Sequence, residues 1–174
     1  MTFRNIFLLI MVLTSCGRTV QDPDSNRNSD ELSLDESFVQ VNKYLVKRQQ
    51  DQISSFAERM QWEMKKTNTG LWYDIYEKGE GKPAVKEKIV TLNYTISLLD
   101  GTICDSSKDR GPKSFRIGHG GVESGLEEGI LLLKEGDRAR FIMPPHLAHG
   151  NFGNRENIPP GAILLYDVEV LNLR

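Results

Sequence analysis

The chain has 174 residues, enough for one ordinary domain with extensions and too few for two large domains. With 39% hydrophobic and 26% charged residues and a net charge of -2, it is neither disordered nor integral to a membrane, and it lacks the basic balance of a general nucleic-acid binder. Two cysteines cannot build a disulfide scaffold, and three histidines leave little for a metal cluster.

Residues 1–15 combine Arg4, a short apolar run from Ile6 to Leu13 and small residues. This is the composition of a secretory signal peptide, too short to span a bilayer as a helix. The end of the run, Leu13-Thr14-Ser15-Cys16, resembles the lipobox of bacterial lipoproteins, in which the cysteine is lipidated and becomes the new N-terminus. The mature chain then starts at lipidated Cys16, held at a membrane outside the cytoplasm by acyl chains that gain about 0.8 kcal/mol per buried methylene. Cys104 is left without an internal disulfide partner. Residues 16–37 carry Asp22, Asp24, Asp30, Glu31, Asp35 and Glu36 against Arg18 and Arg27, with few apolar side chains, and read as a flexible acidic tether.

Residues 38–66 read as an N-terminal helix. From Phe38 to Met64 there is no Gly or Pro, and Phe38, Val41, Leu45, Ile53, Phe56, Met60 and Met64 recur at helical spacings. Ser33 and Glu36 are spaced for a capping box at its start, and Asn68-Thr69-Gly70 supplies a stop. The apolar stripe has two candidate uses, packing on its own domain or pairing in a helical dimer. Beyond residue 69 the punctuation changes, with 14 of the 15 glycines and all prolines but Pro23. Val90, Leu92, Tyr94, Ile96 and Leu98 alternate with period two, as do Ala139, Phe141 and Met143, and Leu164, Tyr166, Val168 and Val170. Asp100-Gly101 marks a turn, and Val122 to Leu133 reads as one short helix. The expected class is α+β: a curved antiparallel β-sheet wrapped on one short α-helix over residues 67–174, preceded by the long N-terminal helix.

No Gly-x-Ser-x-Gly elbow, Cys-His pairing signal or phosphate-binding loop is present. His146 and His149, with His119 elsewhere, make a poor metal pattern, so neither a metal nor a cofactor is expected. The remaining motifs are Leu99-Asp100-Gly101-Thr102-Ile103-Cys104-Asp105-Ser106-Ser107, Arg110-Gly111-Pro112, Gly125-Leu126-Glu127-Glu128-Gly129, Glu135-Gly136-Asp137-Arg138-Ala139, Ala148-His149-Gly150, Ile158-Pro159-Pro160 and Leu165-Tyr166-Asp167-Val168-Glu169-Val170. In order and spacing they resemble the FKBP-type peptidyl-prolyl isomerases over residues 70–174. With the lipobox and the preceding helix, the chain is most similar to the gliding-motility-associated lipoprotein isomerases of that family.

The resemblance implies an isomerase of X-Pro bonds in extracytoplasmic proteins, on a cell-membrane or outer-membrane lipoprotein facing the periplasm. Its implied partners are proline-containing polypeptides, the membrane and gliding or secretion machinery, and not nucleic acid. Tyr94, Asp105, His149 and Tyr166 fall on the family's catalytic positions, and Arg110, Phe115, Val122, Glu123, Leu126 and Ile158 on its substrate-binding positions. Tyr94, Phe115 and Tyr166 would line a proline socket closed by Val122 and Ile158. Asp105 would face the substrate carbonyl, oriented by Tyr94 and Arg110, and the backbone N–H of Glu123 would hold the peptide.

Departures from the pattern are Cys104, Lys113 and Leu126 at customary aromatic positions, His149 for a tyrosine that bonds the bound peptide, and Glu123 for an apolar residue. They support an alternative in which the fold is a catalytically weak binding module or chaperone in a motility or secretion assembly.

Overall fold

The computed structural model describes residues 24–174, with side chains from residue 36 onward. The signal peptide, Cys16 and the first part of the tether lie outside the described residues. The described chain is α+β. Helix α1 spans Asp24–Met60, so the helix takes in the second half of the expected tether and ends before the expected stop. No Gly or Pro interrupts residues 24–69, and acid-rich sequence is well suited to the positive end of a helix dipole. Polarity alone therefore does not keep residues 24–37 from helix. Ser33 and Glu36 fall inside α1 and cannot cap its start.

The stop is a Schellman motif. Gln61 takes φ 57°, Trp62 N–H donates to Ala57 O at 3.0 Å, and Gln61 N–H donates to Glu58 O at 3.1 Å. Trp62 packs edge-on against Phe56, with ring centroids 5.7 Å apart, supplying the hydrophobic contact that accompanies this motif.

The described chain divides into two units, residues 24–42 and Lys43–Arg174. In the first, Phe38, Val39 and Val41 are exposed. In the second, Tyr44, Leu45 and Val46 are exposed as well, and Ile53, Phe56 and Ala57 are the buried part of the helix. Ile53 and Phe56 form a small core with Ile142, against which Trp62, Trp72, Leu99, Ile163 and Leu165 pack. Within Lys43–Arg174, packing of the stripe on its own domain thus holds at Ile53, Phe56 and Met64.

The second unit contains seven strands: β1 (Lys65–Lys66), β2 (Trp72–Glu77), β3 (Ile89–Leu98), β4 (Ile103–Ser106), β5 (Lys113–Arg116), β6 (Arg138–Met143) and β7 (Leu164–Leu173). They form one antiparallel sheet in the order β1-β2-β6-β7-β3-β4, with β5 pairing β3 as well. The Asp100-Gly101 turn joins β3 to β4: Gly101 takes φ 91°, and Asp100 Oδ1 accepts from Thr102 N–H at 2.9 Å. One turn of helix, α2 (Ser107–Arg110), follows β4.

The short helix α3 spans Ser124–Ile130, tighter than the expected Val122–Leu133, and buries Leu126 and Ile130 against one face of the sheet. Gly129 sits where a side-chain carbon would lie 2.7 Å from the Phe141 ring, so α3 approaches β6 more closely than an alanine allows. The main core lies between α3 and this face. It contains Val90, Leu92, Tyr94, Ile96, Phe141, Leu164, Tyr166 and Val168 at alternate strand positions.

Candidate functional site

Residues of β3, β4, β7, α2, α3 and the long loop before β7 converge at one end of this core. Register positions the tyrosines: Ile96 on β3 stands opposite Tyr166 on β7, and Tyr94 stands opposite Val168. Both rings therefore face the core, where Tyr166 is wholly buried and Tyr94 is 5% exposed. Leu126, wholly buried, and Ile158, at 5%, join them, with Val122 packed against the cluster. Burial of each such side chain stabilises the fold by about 1.5–3 kcal/mol.

Asp105 on β4 is held from three sides. Its Oδ1 lies 3.1 Å from Arg110 Nε and accepts from Ser106 N–H at 2.8 Å, and its Oδ2 accepts from the Tyr94 hydroxyl at 3.1 Å. Local structure places Arg110. Ser106 caps α2 by accepting from Lys108 N–H at 3.2 Å, while Ser107 Oγ accepts from Tyr94 N–H at 3.0 Å, tying α2 to β3. Arg110 is exposed, so this ion pair adds only ~0–1 kcal/mol of stability. Its consequence is orientation, since it fixes the carboxylate beside Tyr94 at the margin of the buried cluster.

A second polar pair lies near the first, close enough for Glu123 to act electrostatically on Tyr94 and Asp105 on Tyr166. His149 Nε2 lies 2.9 Å from Glu123 Oε1, and the Glu123 side chain is only 10% exposed. The other oxygen, Oε2, and the Tyr166 hydroxyl are both buried, and the phenol faces the Glu123 carboxylate in a marginal hydrogen bond, with no well-formed partner for either atom. Burial, then the nearby Glu123 carboxylate, raise the Tyr166 phenol far above its ordinary value. Burial and the bond to Asp105 raise that of Tyr94, and burial raises the Cys104 thiol. The phenols therefore stay neutral, and Cys104 is not a thiolate nucleophile. The second nearby histidine, His146, contacts Thr69 O at 2.9 Å.

The structure thus joins Tyr94, Asp105 and Arg110 in one hydrogen-bonded group, and Glu123, His149 and Tyr166 in another, around Val122, Leu126 and Ile158. Phe115 packs against the core cluster that contains both tyrosines, but further along the sheet. Phe115 stands opposite Val90, four positions from Tyr94 and about 13 Å along β3 at the usual strand rise. Lys113, opposite Leu92, takes the nearer place, with its ammonium 5.2 Å from the centre of the Tyr94 ring.

Sequence reasoning missed two asparagines of the loop before β7. Asn154 Oδ1 accepts from the N–H groups of Glu156, Asn157 and Ile158 at 2.8–3.0 Å, and Asn157 Nδ2 donates to Cys104 O at 2.7 Å. Together they fold the loop so that Ile158 reaches the socket. The available signal was turn chemistry, because asparagine side chains bond backbone groups a few residues on.

A groove of about 930 Å3 lies elsewhere in the second unit, lined by Tyr44, Phe56, Arg59, Leu99 and Ile163 among others. No group of three or more potential metal ligands occurs among the described residues.

A family model of the FKBP-type peptidyl-prolyl cis-trans isomerases matches residues 80–171. The chain is 42% identical over 111 residues to a probable FKBP-type peptidyl-prolyl cis-trans isomerase FkpA of Neisseria meningitidis serogroup B, covering 63% of this chain and 40% of that protein. It is 44% identical over 102 residues to FK506-binding protein 1 of Debaryomyces hansenii, covering 58% of this chain and 91% of that one. The crystal structure of FkpA from Escherichia coli superposes with a TM-score of 0.64 at 30% identity, covering 91% of this chain and 74% of that one. The chain spans only 40% of the length of several FkpA relatives it matches.

The marginal bond of the buried Tyr166 hydroxyl yields a stability prediction. A buried hydroxyl that is only partly satisfied gains little for its desolvation, so Tyr166→Phe is expected to change stability by less than about 1 kcal/mol in urea unfolding. A loss of more than about 1 kcal/mol would reveal a bond that the phenol depends on.

Proposed function

The chain belongs to the FKBP-type peptidyl-prolyl cis-trans isomerase family, and on that premise we propose that it catalyses cis–trans isomerisation of X-Pro bonds in extracytoplasmic polypeptides while anchored to a membrane through lipid on Cys16. The observation that carries this reading is Asp105, locked by Tyr94 and Arg110 beside the buried cluster that holds Tyr94, Leu126 and Tyr166.

The reaction needs no nucleophile or cofactor. Amide resonance sets a barrier of about 18–20 kcal/mol. Twisting the C–N bond breaks that resonance and withdraws negative charge from the carbonyl oxygen. An apolar socket disfavours the more charged planar amide, and a fixed carboxylate facing the carbonyl disfavours it further. Leu126, Val122, Ile158 and Tyr166 would supply the socket and Asp105 the carboxylate. The backbone N–H of Glu123 and the His149 ring would hold the peptide. Asp105 can take this role because its orientation is set before substrate arrives and costs nothing during the reaction.

The acyl anchor accounts for the leader-like first 15 residues and the cysteine that follows them. Among the described residues no helix is long and apolar enough to cross a membrane, so the described part offers no helical span for this purpose. The same arrangement would place the isomerase beside motility or secretion machinery facing the periplasm. A second reading, binding of clients without turnover, is favoured by Lys113, whose ammonium stands over Tyr94 where the family has an aromatic ring.

The test is a protease-free isomerisation assay of the full chain on X-Pro peptides. Turnover above background is expected, with kcat/KM falling about tenfold or more, ~1.4 kcal/mol, in Asp105→Ala. Absence of turnover, or a rate indifferent to Asp105→Ala, would leave the binding reading in its place. For the anchor, Cys16→Ser is expected to move the protein from the membrane to the soluble fraction of its host cells, and continued membrane association would contradict lipidation.

A further inference from the structure

The backbone N–H of Glu123, to which the isomerase reading gives the bound peptide, stands at the end of a glycine loop. Within residues 118–121, Gly118, Gly120 and Gly121 take φ of 90°, 72° and 89°, and the whole stretch is exposed. Glycine has more backbone freedom to lose than any other residue, so such a loop has many alternative conformations open to it. It leaves the core at Ile117, which is wholly buried, and runs into Glu123, the N-cap residue of α3. Among the described residues the Glu123 N–H has no acceptor, so no bond of its own sets its position.

Glu127, in the first turn of α3, holds this segment from both ends. Its Oε1 accepts from Gly118 N–H at 3.3 Å and from Gly120 N–H at 3.0 Å. Its backbone N–H donates to Glu123 O at 3.1 Å, beside that of Leu126 at 3.0 Å. One residue thus grips the start of the loop with its side chain and the end with its main chain, on a helix anchored in the core by Leu126 and Ile130. Bonds to a carboxylate are stronger than bonds between neutral groups. A second attachment of the loop, His119 Nε2 to Glu87 Oε2 at 2.8 Å, joins two exposed groups and adds little.

We propose that Glu127 is a positioning residue of the isomerase, fixing the glycine loop so that the Glu123 N–H is in place before a peptide arrives. This deepens the isomerase reading and rests on it, because it takes that N–H to hold the peptide. Without the carboxylate the loop is ordered only on binding, and the ordering entropy is subtracted from the affinity. Planar and twisted amides both keep the bond to Glu123, so the loss falls on both alike and raises KM while kcat holds. A residue that merely stabilised the fold would leave both constants of the folded protein where they are.

The test measures kcat and KM of the full chain on an X-Pro peptide, peptide affinity by titration, and amide exchange of the loop, in the unaltered protein, Glu127→Ala and Glu127→Gln. Glu127 is only partly buried, so both variants are expected to fold. Glu127→Ala is expected to raise KM and Kd about fivefold with kcat within about twofold, and to speed exchange at Gly118 and Gly120. Glu127→Gln keeps a carbonyl acceptor without the charge and is expected to recover most of the affinity. Unchanged KM and Kd in folded Glu127→Ala would overturn the proposal, as would a kcat that falls as far as kcat/KM, or a Gln variant no better than the Ala one. Titrated binding that weakens in Glu127→Ala, with no turnover in any form, would support the positioning while removing the isomerase reading. Turnover that Glu127→Ala leaves untouched would do the reverse.

Discussion

The antiparallel pairing of β3 with β7 is the constraint on which the site depends. It runs from Val90 opposite Leu173 to Leu98 opposite Leu164, through both strands for nearly their whole length. Because successive side chains alternate between faces, this register sends Tyr94 and Tyr166 to the same side, toward α3. A slip of one residue would turn one of them away and put its neighbours, Thr95 or Leu165, in its place. β4 hangs on the outer edge of β3, so the position of Asp105 relative to Tyr94 follows from the same ladder. The socket is a product of strand register before it is a product of any one side chain.

Upon that frame the two carboxylates have opposite fates. Asp105 lies on an edge strand followed at once by a capped turn of helix, which brings Arg110 back to it, and every polar atom it offers has a partner. Glu123 stands at the N-cap position of α3, with its side chain 10% exposed. There a histidine meets one of its oxygens and leaves the other facing a phenol. The first carboxylate is fixed at both of its oxygens, and the second lies between a histidine and a buried phenol.

The fold was legible wherever one physical signal dominated. Strand alternation from Val90 to Leu98 and from Leu164 to Val170 is written in the sequence, because one face is buried and the other is wet. The ends of α1 were not legible. Its start lies in sequence too polar to announce a helix, and its stop uses Gln61 at a positive φ that glycine usually serves. For the site, the motifs located Asp105, Arg110, Tyr94 and Tyr166, whose contacts follow from neighbouring strands. Phe115 packs against the core cluster, and Lys113 stands one alternation nearer to Tyr94 on the same strand. The burial of the Glu123 side chain could not be read at all, since it depends on how closely α3 sits against the sheet.

The central claim is that a proline ring enters the socket between Tyr94, Leu126 and Tyr166 and that its amide turns over there. Exchange NMR tests this most directly, with an X-Pro peptide in large excess and the resonances of the protein recorded alongside. The account predicts cis and trans peptide signals exchanging within about a second, against tens to hundreds of seconds without catalyst, and protein shifts centred on Tyr94, Leu126 and Tyr166. Unchanged exchange, or shifts centred on the groove of Phe56, Leu99 and Ile163, would contradict it.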